Sequence, residues 1–297
     1  MSTPASHDAL MSTRRTWSRC PVCDEGAQHL YVAFPELAFV RCSECGLIYK
    51  SFELPDARPA EFYEQTYFQG RKSGRDKRFE HRARKAMRWV RAAAQFTQAK
   101  SMLDVGCSLG YVIEGGRRLG LASAGMDISS YAVERCRERG YDARVGSLER
   151  FPFDDGAFDI VVMKHVLEHT PEPKQALAEV SRVLSSDGVV LIAVPDSTYW
   201  KGVLLRERYR YYRPDDLGQQ HYIYYSDETL ERLLSSSGFT VCARSKGLFR
   251  EREARRGGLQ RAYEVGRAGV LSTAFGLAKV LRLRRELFLV ARRNRPY

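Results

Sequence analysis

The sequence predicts an α/β fold: a parallel sheet with helices on both faces, preceded by a small cysteine-rich module. Three observations carry this. Apolar Met102, Leu103 and Val105 read as a buried strand running into Gly106 and Gly110, a tight turn that opens a helix near Tyr111. Glycine there lets main chain approach a ligand that a Cβ would hold away. A second short strand, Ala124-Gly-Met-Asp127, ends in an acid 17 residues after Gly110. In doubly wound sheets an acid at that place accepts hydrogen bonds from ribose hydroxyls. Beyond it, glycine-terminated helices alternate with short apolar strands.

In chain order, residues 1–16 are polar, lack an apolar signal core and are expected to form a disordered leader. Residues 17–60 carry Cys20-Pro-Val-Cys23 and Cys42-Ser-Glu-Cys45, two C-x-x-C knuckles separated by 18 residues. Cys20, Cys23, Cys42 and Cys45 together offer four thiolates to one tetrahedral zinc ion, a zinc ribbon. Four thiolates leave no open position, so that ion is structural, and it supplies folding energy a short segment lacks. Cys107, Cys136 and Cys242 read as packing residues. Seven cysteines without a secretion signal indicate a reducing, cytoplasmic setting.

Residues 61–98 are a connector and a helix over 76–98, rich in Ala and Arg and free of Gly and Pro. The main domain is expected over 99–297. Its helices over 111–119 and 130–139 stop at Gly120 and Gly140, although Gly115 and Gly116 weaken the first. Strands follow over 142–145, 158–163 and 188–194. Ser226 caps a helix over 227–236, Gly238 ends it, and strands over 239–243 and 286–292 close the sheet.

Two insertions interrupt this order. Residues 196–225 are dense in tyrosine and arginine and read as a lid or acceptor pocket, or as an oligomer contact. Residues 247–285 are basic: from 244 to 297 there are 15 Lys and Arg against 4 Asp and Glu, so this tail holds +11 of the net +12. One apolar face flanked by arginines suits peripheral contact with an anionic membrane, cover for the sheet, a second subunit or RNA. The rest of the chain is nearly neutral, which argues against a distributed nucleic-acid footprint.

The segment Asp104-Val-Gly106-Cys107-Ser108-Leu-Gly110 resembles the D-x-G-C-x-x-G turn of class I S-adenosylmethionine-dependent methyltransferases, with Ser108 a departure. The dinucleotide pattern G-x-G-x-x-G fails at Ser108 and Tyr111. G-x-S-x-G is also spelled here, but a hydrolase elbow needs preceding strands and an oxyanion loop. With Cys-Gly-Leu-Ile-Tyr after the second knuckle, the chain resembles a bacterial subgroup with a zinc ribbon ahead of the methyltransferase domain. The resemblance implies a Rossmann-like, seven-stranded methyltransferase sheet whose last strand is antiparallel.

It also implies site residues. S-adenosyl-L-methionine would be held by Asp104, Gly106, Cys107, Ser108, Gly110, Asp127, Ile128, Ser147, Leu148 and Lys164. The chemistry would lie after the fourth strand, at Met163-Lys-His165-Val-Leu-Glu168-His169. Read alone, H-x-x-E-H is a zinc-peptidase string, but Pro171 and Pro173 deny it the helix it needs. His165 and His221 are the candidate general bases, with Glu168 and His169 orienting His165 or holding a divalent ion. Asn/Asp-Pro-Pro-aromatic, which grips a flipped base in nucleic-acid enzymes, is missing. The expected acceptor is a small sugar, lipid-linked or other anionic metabolite, methylated on oxygen. An rRNA or tRNA methyltransferase and a non-catalytic scaffold with a degenerate cofactor site are the alternatives.

Overall fold

The computed structural model describes residues 15–34, 37–53, 75–205, 208, 212, 221–244 and 286–294. Its centre is a seven-stranded sheet. In chain order the strands are β6 (Ser101–Val105), β7 (Ala122–Asp127), β8 (Asp142–Val145), β9 (Phe158–Lys164), β10 (Leu184–Pro195), β12 (Phe239–Arg244) and β13 (Glu286–Arg293). Across the sheet they lie in the order β12-β13-β10-β9-β6-β7-β8. β13 is antiparallel to both neighbours, whereas β10, β9, β6, β7 and β8 run parallel. The expected architecture is therefore present.

Alternation along each strand divides the core into two faces. Val161, Met163, Val190 and Ile192 pack with α4 (Pro173–Val183) and α6 (Asp227–Ser236) on one side. Ile160, Val162, Val189 and Leu191 meet α1 (Arg75–Ala93) on the other, against Ala86, Trp89 and Val90. All eight strand residues are fully buried, each contributing about 1.5–3 kcal/mol of apolar burial. Helix α2 (Tyr111–Arg117) keeps its two interior glycines because it is wedged in. A Cβ on Gly116 would fall 2.1 Å from Met102 Sδ, and one on Gly115 would fall 2.9 Å from Ala86 Cβ. α3 (Ser130–Arg137), capped by the Ser129 side chain, joins β7 to β8.

The cysteine-rich module is a second sheet. Strands β2 (Gln28–Ala33), β3 (Ala38–Cys42) and β4 (Ile48–Lys50) form an antiparallel meander. Its fourth strand is β11 (Ile223–Tyr224), which comes from the tyrosine-rich insertion and pairs antiparallel with β4. The module, through Val22, Leu47, Tyr49 and Ile223, belongs to the same apolar cluster as Val161, Met163, Val190 and Ile192 of the large sheet. Arg15–Thr16, the end of the expected disordered leader, forms strand β1 and pairs with β5 (Phe52–Glu53). Of the insertion, the short helix α5 (Trp200–Leu205) is also described. Residues 1–14 of the leader, and the whole basic insertion 247–285, lie outside the described residues. Among the described residues no helix is long and apolar enough to cross a membrane.

Candidate active site

The glycine turn and the acid at 127 are joined directly. Gly106 and Cys107 N–H groups donate to the Met126 carbonyl at 2.8 and 2.9 Å, tying the turn to β7. Ser108 N–H donates to Asp127 Oδ2 at 2.8 Å, and Ser129 N–H to Oδ1 at 3.0 Å. Ser108 takes the left-handed conformation (φ 52°) between Gly106 (71°) and Gly110 (82°), so the non-glycine residue does not spoil the turn. Each Asp127 oxygen keeps acceptor capacity beyond its backbone partner. Burial pushes the Asp127 carboxyl up, while the backbone N–H groups of Ser129, Ser108 and Ile128 oppose it.

The expected contacts around this corner fall into two groups. Gly146 N–H donates to the Asp127 carbonyl, which brings half-buried Ser147 and Leu148 beside it, and Ile128 shows an exposed apolar side chain. Asp104 and Cys107, by contrast, are buried beneath the surface of the site. Cys107 Sγ lies 4.0 Å from Cys136 Sγ. Burial, with Cys136 and Asp127 nearby, holds the Asp104 carboxyl well above the usual range, and its Oδ2 has no hydrogen-bond partner among the described residues. These two shape the turn through packing, not through exposed atoms.

The turn faces the segment after β9. A Cβ on Gly106 would fall 2.5 Å from Val166 Cγ2. Gly106→Ala is therefore expected to cost about 1–3 kcal/mol in backbone strain and to displace Val166. A lowered thermal midpoint with at least tenfold weaker S-adenosylmethionine binding in calorimetry is the expected reading.

His165, also left-handed (φ 54°), stands between two carboxylates. Its Nδ1 is 3.1 Å from Glu168 Oε1 and its Nε2 is 3.0 Å from Glu286 Oε1. Burial disfavours the imidazolium, yet the Glu168 and Glu286 bonds outweigh it and raise the pKa to about 9. Both ring nitrogens are engaged and the ring is charged at neutral pH. In this arrangement it has no lone pair with which to accept a proton, which corrects the expectation that His165 is a base. Lys164, expected at the cofactor, lies 3.6 Å from Glu286 Oε2 and over the rings of Trp89 and Phe288.

Glu168 is wholly buried; burial would raise its carboxyl, but the His165 bond and the charges of His169 and His165 bring it down to about 2. Its Oε2 has no hydrogen-bond partner among the described residues. Ligand atoms of Glu168, His169 and His221 lie within 4.8 Å of one another, spacing that also suits a cation. The His169 and His221 rings meet edge to face at 4.7 Å. Burial is the main cause that drives the His221 pKa well below its ordinary value, so that ring is neutral. The four candidates His165, Glu168, His169 and His221 are thus one constellation.

Glu286 and Lys50 were not foreseen. Lys50 of the ribbon is 4% exposed, its Nζ sits 4.3 Å from the Tyr222 ring, and its charge adds to the depression of His221. Three tyrosines of the 196–225 insertion pack against the ribbon instead of lining an open pocket: Tyr212 and Tyr224 on Phe39, and Tyr222 on Trp17. Tyr209, Tyr211, Arg206, Arg210 and Arg213 lie outside the described residues.

In the ribbon, Cys20 Sγ is 3.6 Å from Cys45 Sγ and Cys23 Sγ is 3.5 Å from Cys42 Sγ, all four within 4.8 Å of one another. A tetrahedron with arms of about 2.3 Å has edges of about 3.8 Å, so the residues present fit a zinc ion. Left-handed Asp24 (φ 63°) and Gly46 (φ 77°) follow the two knuckles.

A glycine turn tied to an acid on the neighbouring strand, within a seven-stranded sheet whose last strand is reversed, defines the methyltransferase class of fold. Residues 103–192 match a family described as methyltransferase domain. An S-adenosylmethionine-dependent methyltransferase from Mesorhizobium loti shares the fold, with TM-score 0.50 and 17% identity over 71% of this chain and 100% of that one. A ubiquinone biosynthesis O-methyltransferase of Thiobacillus denitrificans is 29% identical over 36% of this chain and 49% of its own length. A probable S-adenosylmethionine-dependent methyltransferase of Mycolicibacterium smegmatis is 30% identical over 48% of this chain and 52% of its own. The chain spans about half the length of these curated relatives.

Proposed function

We propose that the chain is an S-adenosylmethionine-dependent methyltransferase that methylates a hydroxyl of a small anionic acceptor. The observation that carries this reading is the seating of the Asp127-bonded turn, through Gly106 and Val166, against the Glu168–His169–His221 constellation. The name of the Thiobacillus relative supports oxygen as the methylated atom.

S-adenosylmethionine, held by the main chain at 106–110 and by Asp127, would supply an electrophilic methyl group. His221, kept neutral by burial, accepts the proton of the acceptor hydroxyl, directly or through His169. Glu168 stays ionised and offsets the charge that then forms on the pair. His165 and Glu286 hold Glu168 in place. We also assign Cys20, Cys23, Cys42 and Cys45 to one structural zinc ion, which atomic absorption should find at about one per chain.

The test is transfer of labelled methyl from S-adenosylmethionine to a fractionated cell extract. Label in small acidic metabolites is expected; label confined to RNA, or none with any fraction, overturns the reading. Glu168→Gln should lower turnover about a hundredfold with cofactor affinity kept, as expected when a positioned acid–base partner is lost. Undiminished turnover would remove Glu168 from the mechanism.

A further inference from the structure

The ribbon and the constellation are connected by main chain. Segment 222–225 lies between them. On one side, Ile223 and Tyr224 pair with Tyr49 and Ile48 of β4, and Lys50 N–H donates to the Tyr222 carbonyl at 2.8 Å. On the other, Tyr222 N–H donates to the Glu168 carbonyl at 2.8 Å, and Ser197 N–H to the Tyr225 carbonyl at 2.8 Å. His221 is the residue immediately before this segment. β4 begins three residues after Cys45, and Cys42 N–H donates to the Leu47 carbonyl at 2.9 Å, so the knuckle fixes where β4 starts. Cys20, Cys42, Leu47, Tyr49, Tyr222 and Tyr225 share one buried cluster. Tyr225 is fully buried and its hydroxyl points to the Leu167 carbonyl at 3.5 Å.

We infer that the four-cysteine ribbon is a positioning element of the acceptor site: through the hydrogen bonds of residues 222–225 it sets His221 against Glu168 and His169. The inference rests on the zinc and methyltransferase readings above. A segment of this size has too little core to hold its shape without the metal, so metal occupancy governs the order of the constellation. The glycine turn and Asp127 are tied to β7 instead, by bonds the ribbon does not touch. Metal loss therefore separates the two halves of the site, leaving cofactor binding and disordering the acceptor half.

Hydrogen exchange on the full-length chain tests this, before and after zinc is stripped by a chelator under reducing conditions. The Lys50 and Tyr222 amides should exchange at least about tenfold faster after stripping, while those of Gly106 and Cys107 keep their protection and S-adenosylmethionine affinity changes less than about threefold. Unchanged exchange over 221–225 after demonstrated zinc loss overturns the inference. A second comparison does not depend on the metal. Lys50→Pro removes the N–H that binds the Tyr222 carbonyl and leaves all four cysteines, whereas Lys50→Gln keeps that N–H. Faster exchange over 165–169 and 221–225 in the proline variant alone supports the coupling, and equal exchange in both sinks it. A chain that binds no zinc at all would refute the metal assignment while these two variants still decide the inference.

Discussion

Asp127→Ala should weaken S-adenosylmethionine binding by at least about a hundredfold. The carboxylate accepts from Ser108 and Ser129 N–H groups and, in the proposed complex, from two ribose hydroxyls. Hydrogen bonds to a charged group contribute about 1.5–3 kcal/mol each, so loss of the ribose pair alone amounts to about 3 kcal/mol or more. The variant also frees the Ser108 N–H, while the Gly106 and Cys107 bonds to the Met126 carbonyl still hold the turn to β7. Asp127→Asn keeps one acceptor oxygen and should fall between the two. Calorimetric titration with the cofactor, beside a thermal melt to verify folding, reads both effects. Unaltered affinity in a folded Asp127→Ala protein would end the assignment of this corner to the nucleoside.

His165→Ala is expected to produce the largest loss of stability, about 3 kcal/mol. It removes the cation between Glu286 and a Glu168 that is only 1% exposed, leaving a buried carboxylate with poorer compensation. The same network gives the pH dependence a definite sign. His165 is raised from 6.5 to about 9, so its contribution is complete below about pH 6.5 and fades as pH climbs through 9. Glu168 and Glu286 are lowered from 4.5 to about 2, so theirs is complete above about pH 4.5 and is lost on acidification toward 2. Stability from this source is therefore greatest between about pH 4.5 and 6.5. Thermal midpoints of parent and His165→Ala should differ most in that window and converge above pH 9. A constant difference from pH 5 to 10 would contradict the charged state of His165.

What the sequence disclosed and what it withheld follow from the range of the interactions. The 102–111 turn, Asp127, the two knuckles and the Ser226-capped helix are local patterns, and each stands where the pattern predicts. That His221 meets Glu168 and His169 was not legible, because more than 50 residues separate them and no local pattern joins them. Glu286 was invisible because its role depends on strand direction. The antiparallel register pairs it with Pro195, so the first residue of β13 arrives at the edge where the parallel strands end. Lys50 was hidden likewise, since nothing near it announces that β11 extends the ribbon sheet. The tyrosines misled for a related reason: composition shows that aromatic surface must be covered, but not by what. Tyr212 and Tyr224 are covered by Phe39.

The reversal of β13 also bears on biosynthesis. Glu286 lies 121 positions beyond the imidazole it clamps, so the ribosome adds it after every other member of that network. A tethered nascent polypeptide can complete the glycine turn and the ribbon while His165 still has only Glu168 for company. The clamp on His165 would thus close only when β13 joins the sheet, in a single late step.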